Sequence, residues 1–451
     1  MEIADKVLHA KWIITCEENI PPLQKGGSTG DVLENHSLVI KNGLIEAILP
    51  TDTVAKKYQC NNHVDLTNHV LLPGFNNSHT HLAMNYFRGM ADDTSLMNWL
   101  NHYIWPSEKK WVSEEFVKDA SLFAMAEMIR SGTTSFNDMY FFLEATAEAA
   151  KTSGMRANIG MTILEFPTQW AQTTDEYFAK GVAFYEKYKN QDLINVTIAP
   201  HAPYTISDVT FQRIKELSEN LNLKINLHLQ ETLDEITQSL KAYNVRPIKR
   251  LDKLGLINER LIAIHMANLN DEDLNIIAHR GLSVAHCPES NMKLASGTCP
   301  AAKLDSLGIN VALGTDGAAS NNDLDMIGEM RTATFLSKLT THDPISLPAN
   351  KMLQMATLNG AKAVGLEKIT GSLKKGKSAD CIAIDLNQIE TLPPYHPASQ
   401  IVYAASRNQV THAWVAGKML MENRQLLTLD EQQIIDKAHY WFKKIGVPDR
   451  S

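Results

Sequence analysis

No stretch of this sequence approaches the roughly 20 consecutive apolar residues that a bilayer-spanning helix needs. The first residues, Met-Glu-Ile-Ala-Asp, offer neither the basic start nor the apolar stretch of a secretory signal. A cytoplasmic location, away from any membrane, is the expectation. Cysteine is scarce: Cys16, Cys60, Cys287, Cys299 and Cys381 are odd in number, far apart and form no Cys-x-x-Cys pair. That argues for reduced thiols and against a disulfide framework. It also removes the zinc deaminases that act on flipped bases through a His-x-Glu and Pro-Cys-x-x-Cys signature. Low-complexity tracts, heptads and fixed-period repeats are missing, so disorder, coiled coil and solenoid are set aside. A net charge of −8 over 451 residues, with Lys and Arg scattered, gives nucleic acid no electrostatic footprint. The partner expected is a small molecule.

What is present is a chain that can bury a large core, 44% hydrophobic and 21% charged, of a length that suits an α/β barrel with a smaller companion domain. VLHAKWIITC (7–16) and SLVIKNGLIEAILP (37–50) are short β-rich runs, the second broken by the hairpin-like Lys41-Asn42-Gly43. From residue 70 short apolar strands alternate with amphipathic helical stretches, the texture of β-α units. Eight strands are read: 69–81, 133–139, 156–164, 195–203, 224–231, 261–267, 282–288 and 310–316. Between the first two, SEEFVKDASLFAMAEMIRSG (113–132) has a Ser113 start and a glycine stop. After residue 372 the β-rich texture returns in KSADCIAIDL (377–386) and THAWVAGKML (411–420), followed by a helical tail from Leu429. The expected fold is a (β/α)8 TIM-type barrel over 69–371, with a small β-sandwich domain made by both chain ends, 1–68 and 372–451.

His79, His81, His201, His228, His265, His286 and Asp316 all fall at or near the C-terminal end of an expected strand. In a barrel of this kind that end carries the active site. His79 and His81 are two apart on an extended segment, so both imidazoles share a face. A lone histidine is ordinarily a hydrogen-bonded core or loop residue. Histidines ending strands 1, 5 and 6, with an aspartate ending strand 8, are hard to explain as filler. Imidazole and carboxylate ligands suit zinc or iron rather than magnesium or calcium. Such an ion lowers the pKa of a bound water toward neutrality, so the chemistry expected is hydrolytic. Glu231, three residues after His228, is placed to shuttle a proton to a leaving or ring nitrogen. The roles of His286 and Cys287 stay open between support of the site and plain packing.

PGFNNSHTHL, HLQET, IHMANL, AHCPESNMKLASG and GTDGAASNNDLDM resemble the metal-dependent amidohydrolases of the 5-methylthioadenosine/S-adenosylhomocysteine deaminase group, relatives of the triazine chlorohydrolases. The resemblance runs through most of the chain. It implies one divalent ion, zinc first and iron as the alternative, held by His79, His81, His228 and Asp316. Asp316 would also accept the proton of the attacking water, Glu231 would protonate the purine ring, and His265 would orient the nucleophile. Glu108 in WPSEKKW matches a glutamate that takes the ribose hydroxyls, Trp99 an aromatic that packs on the nucleoside, His201 a substrate-contacting histidine, and Ser320 a polar residue near the purine. Strand 4 ends in Ala-Pro-His-Ala-Pro where dinuclear relatives carry a modified lysine, so one metal is expected.

Guanine, 8-oxoguanine or a chlorinated s-triazine on the same scaffold is the alternative, and a non-catalytic scaffold protein a remote one. The presence of all four ligands and Glu231 argues against the latter. The residues do not set an oligomeric state, and a homo-oligomer is compatible with such a barrel. One departure has a consequence for substrate choice. Relatives that accept S-adenosylhomocysteine well are expected to carry arginines after strand 3, yet none occurs between Arg156 and Arg213, and the loop reads LEFPTQWAQ. A comparison of kcat/KM is therefore expected to favour 5′-methylthioadenosine over S-adenosylhomocysteine; comparable values would refute that preference.

Overall fold

The structure, a computed structural model, describes residues 1–18 and 32–446; residues 19–31 and 447–451, which the expected end segments include, lie outside it. Eight strands form the barrel: β1 Phe75–Thr80, β2 Thr133–Tyr140, β3 Arg156–Ile163, β4 Ile194–Pro200, β5 Ile225–Leu229, β6 Leu261–His265, β7 Ser283–His286 and β8 Asn310–Leu313. Each pairs in parallel with its sequence neighbour from β1 through to β8. β2, β3 and β5 are buried along their whole lengths, as strands covered on both faces must be. Helices alternate with them. Glu114–Arg130 begins at Ser113, whose hydroxyl accepts the Phe116 N–H at 3.2 Å, and ends just before Gly132, at φ +91°. That left-handed position favours glycine.

The chain ends meet in a second eight-stranded sheet. Its order runs Gln425–Leu426, Lys418–Glu422, Val410–Val415, Cys381–Asp385, His63–Pro73, Lys6–Ile14, Val32–Lys41, Leu44–Pro50. Asn42 and Gly43 both take positive φ, 53° and 76°, in the two-residue turn between Val32–Lys41 and Leu44–Pro50. The sheet folds over on itself: Ile45 N–H donates to Lys377 O and Gly376 N–H to Ile45 O, each at 2.8 Å. Leu8, Leu38, Leu71, Cys381 and Trp414 fill the space enclosed. Among the described residues no helix is long and apolar enough to cross a membrane.

The stretch 69–81, expected as one strand, is two. Residues up to Pro73 pair with Cys381–Asp385 in the second sheet, and the barrel strand starts at Phe75. Gly74 makes the transfer, passing so close to Thr134 that an added Cβ would stand 2.1 Å from its Oγ1. An unbroken apolar run conceals such a change of partners, because alternation reports burial and not which sheet does the burying.

A buried ion pair fastens the two units. Arg156, at the start of β3, donates from Nε to Asp380 Oδ2 at 2.9 Å, and Asp380 Oδ1 accepts the Ala416 N–H at 2.7 Å. Both side chains are almost wholly out of solvent, at 6% and 0% exposure. Removing one partner of such a pair leaves an uncompensated charge, so Asp380→Ala is expected to lower unfolding stability in urea by roughly 3–5 kcal/mol. A loss under about 1 kcal/mol would show the pair to be dispensable.

Candidate active site and metal centre

The barrel closes where β8 returns to β1, and there the site is assembled. Gly314 lies against His79 so tightly that a Cβ would meet the His79 backbone nitrogen at 2.8 Å. Thr315 N–H donates to Asn77 Oδ1 and Asp316 N–H to His79 O, each at 3.0 Å. Thr80 Oγ1 donates to Asp316 O at 3.1 Å. Asp316 is held in the left-handed region, φ +62°, and His265 at the end of β6 likewise, φ +71°. These conformations are costly for residues with a Cβ and occur where surrounding bonds over-determine them, often at functional sites.

The result is a knot of donor atoms at the C-terminal end of the strands. His79, His228, His265 and Asp316 each offer an atom, all within 4.8 Å of one another. His81 joins them, its Nε2 3.2 Å from Asp316 Oδ1, against 3.4 Å for His79 Nε2. Neighbours orient three rings by their Nδ1 atoms: His81 to Met139 O at 2.6 Å, His228 to His201 O at 2.7 Å, His265 to Asn291 Oδ1 at 2.8 Å. A carbonyl can only accept, so His81 and His228 carry the proton on Nδ1 and turn Nε2 to the centre.

The centre suits a cation. His79 Nε2 and His228 Nε2 face each other at 3.1 Å, and two lone pairs at that separation need a proton or a metal ion between them. Burial lowers the His79 pKa to about 4 and drives His228 well below its ordinary value. Both therefore favour the neutral form a metal ligand needs. Burial also opposes charge on His81, yet the hydrogen bond and charge of Asp316 outweigh it and raise its pKa to about 8. Asp316 itself is pushed up by burial but held well below the carboxylate range by His79 and His81. A carboxylate that demands positive charge beside neutral imidazoles is the donor set of a zinc or iron site.

Above the cluster opens a cavity of about 680 Å³, reached by His81, His201, His228, Glu231, His265 and Asp316. Glu231 Oε2 lies 3.7 Å from His265 Nε2, and burial raises its pKa. Trp99 and Glu108 line the same cavity, contributed by Leu96–Trp99 and Trp105–Trp111. Trp99 is 4% exposed, so it anchors the core and faces the cavity at once. Glu108 is half-buried, and loss of hydration raises its pKa to about 7. His201 both lines the cavity and, through its carbonyl, fixes His228; burial lowers its pKa to about 3. Ser320 stands elsewhere than expected. It lies behind Asp316, donating to Oδ2 at 2.8 Å beside Ser290 at 2.7 Å, and supports the carboxylate instead of facing the cavity.

A family model described as the amidohydrolase family matches residues 70–420. The chain belongs to the amidohydrolase family. A 5-methylthioadenosine/S-adenosylhomocysteine deaminase of Saccharophagus degradans is 45% identical to it over 98% of this chain and 97% of the relative. A 5′-deoxyadenosine deaminase of Methanosarcina mazei is 38% identical over 97% of each. The crystal structure of an adenosine deaminase from Xanthomonas campestris with bound zinc superposes with a TM-score of 0.95, at 42% identity, covering 98% of this chain and 99% of that one.

This amidohydrolase site also depends on residues that the sequence reading did not single out. Ser290 and Asn291, just past His286 and Cys287, hold Asp316 and His265. Cys287 is buried among Met139, Ile264 and Ala285, its thiol 3.9 Å from the Ala285 carbonyl, and His286 is buried with its carbonyl accepting the Gly314 N–H at 2.9 Å. Glu235 accepts the N–H groups of both Gln230 and Glu231 at 2.9 Å, pinning the turn that presents Glu231. Thr232 caps the helix that follows, its hydroxyl accepting the Glu235 N–H at 3.3 Å, which sets Glu235 where its carboxylate reaches back to those two amides. Burial raises the Glu235 pKa to about 8 and that of Asp138 to about 6; Asp138 Oδ1 accepts the Leu82 N–H at 2.8 Å and fixes the turn after His81.

Asn291→Ala would remove the bond that orients the His265 ring while leaving the imidazole itself intact. The expected outcome is a fall in kcat of about 10–100-fold with metal content retained; an unchanged kcat would mean that His265 needs no anchor.

Proposed function

We propose that this amidohydrolase deaminates an adenosine-like nucleoside, with 5′-methylthioadenosine preferred, releasing ammonia and 5′-methylthioinosine. The observation that carries the reading is Glu108, a carboxylate on the wall of the cavity that also contains the histidine cluster. A carboxylate there can accept from both hydroxyls of a ribose and has no use on a free base or a triazine. Each of the three relatives is named for acting on adenosine or a derivative of it. The loop 164–172 contributes Leu164, Phe166 and Pro167 to the cavity beside the uncharged Thr168, Gln169 and Gln172, and a loop with no cation to hold a carboxylate favours a short thioether. We place the enzyme in the cytoplasm, where thiols are kept reduced.

His79, His81, His228 and Asp316 would hold a single divalent ion, zinc in the first place and iron as the alternative; the Xanthomonas campestris protein binds zinc. When bound, such an ion supplies Lewis-acid chemistry, bringing the pKa of a coordinated water to about 7. The chain's own groups carry the protons. As water adds to purine C6, Asp316, ionised at neutral pH, accepts one of its protons. Glu231, whose burial favours the protonated form, delivers a proton to N1. His265, oriented by Asn291, stabilises the oxygen at the tetrahedral carbon. Asp316 then passes its proton to the amino nitrogen, the hydroxyl proton goes to Glu231, and ammonia leaves as the C6 carbonyl forms.

The zinc-loaded protein should release ammonia rapidly from 5′-methylthioadenosine, and a chelator should stop it. Glu108→Ala is expected to lower kcat/KM on the nucleoside by roughly 100-fold and to leave any activity on a free base nearly intact. Turnover confined to guanine, 8-oxoguanine or a chlorotriazine would keep the hydrolytic chemistry and overturn the nucleoside assignment.

A further inference from the structure

One polar group on the cavity wall has no use in the chemistry above. Tyr140, the last residue of β2, is 3% exposed and lines the cavity together with Glu108, Thr162 and His201. Its hydroxyl makes no hydrogen bond of full geometry within the protein and stands close to the Glu108 carboxylate. Buried polar atoms are rarely left so, and one aimed into a binding cavity commonly awaits its partner from the ligand. Its position is also well defined. The carbonyl before it, of Met139, accepts from His81 at 2.6 Å, and its own carbonyl accepts from Thr162 Oγ1 at 2.6 Å. The backbone that aims the phenol is thus tied to the histidine cluster on one side and to β3 on the other. The ring packs 5.1 Å from that of Phe141. Glu108 lies near enough for the hydroxyl to favour the ionised carboxylate.

We infer that Tyr140 contacts the substrate, its hydroxyl donating to one of the two ribose hydroxyl oxygens, O2′ or O3′, while Glu108 accepts from the same diol. The two side chains are complementary: a carboxylate can only accept, and a phenol can donate. A ribose hydroxyl that donates to Glu108 still has lone pairs for Tyr140. The pair would read a hydroxylated sugar more strictly than Glu108 alone. This inference rests on the nucleoside reading given above.

The test uses the zinc-loaded protein and its Tyr140→Phe variant, which keeps the ring, with 5′-methylthioadenosine and its 2′-deoxy and 3′-deoxy analogues. Expected is a loss of about tenfold in kcat/KM on the full ribonucleoside, chiefly through KM, with melting temperature and metal content unchanged. The loss should vanish for the one analogue that lacks the contacted oxygen. The same loss on all three nucleosides, or no loss on any, would overturn the contact. If the wild-type protein turns over no nucleoside but does act on a free base or chlorotriazine, the nucleoside reading fails and the contact with it. If nucleosides are good substrates and Tyr140→Phe is silent, only the contact fails.

Discussion

Closure of the barrel between β8 and β1 is the constraint from which the catalytic centre follows. Asp316 meets His79 and His81 only because Gly314 lets the two strands approach to backbone contact, and because Asn77, Thr80 and the His79 carbonyl tie the turn after β8 in place. The left-handed conformation of Asp316 stores strain that these bonds offset. A side chain at residue 314 would force the strands apart, and the carboxylate would leave the imidazoles whose protonation it governs.

Around that seam, burial and charge divide the titratable groups into roles. Desolvation keeps His79, His201 and His228 neutral, and the ionised Asp316 attracts positive charge to the middle of the ring cluster. Glu231, deprived of water in the cavity and facing the charge of Asp316, is pushed toward its protonated form. Two carboxyl groups in one site, Asp316 and Glu231, thus have proton affinities moved in opposite directions by their surroundings, the division that the proposed base and acid roles require. Ser290, Ser320, Asn291 and Glu235 lie outside the cavity lining, and they hold groups that belong to it: Asp316, His265 and Glu231.

The cavity above the centre is made by other parts of the chain. Its outer wall comes from Leu96–Trp99, Trp105–Trp111 and the loop 164–172, joined where Gln169 Nε2 donates to Lys109 O at 2.7 Å and where Trp105 and Phe166 rings stand 5.8 Å apart. Strand ends supply chemistry, and these added segments supply shape, so recognition can change while the barrel stays the same.

The eight-strand rhythm, the small β domain at the chain ends and the histidines at strand termini were all legible in the sequence, because a half-buried or buried strand imposes its period on composition and a barrel puts function at one end. Glu108 and Trp99 were legible only through family resemblance, since nothing in local spacing brings two helices so far before Asp316 in the chain into the same cavity. Three things were decided by tertiary structure alone. The change of sheets at Gly74 is hidden inside a continuous apolar run. Ser320 serves Asp316 instead of the cavity because side-chain direction after a tight turn depends on what the turn packs against. The proton affinities of the centre follow from dehydration and from charges that meet only across strands distant in sequence, and no local pattern encodes either.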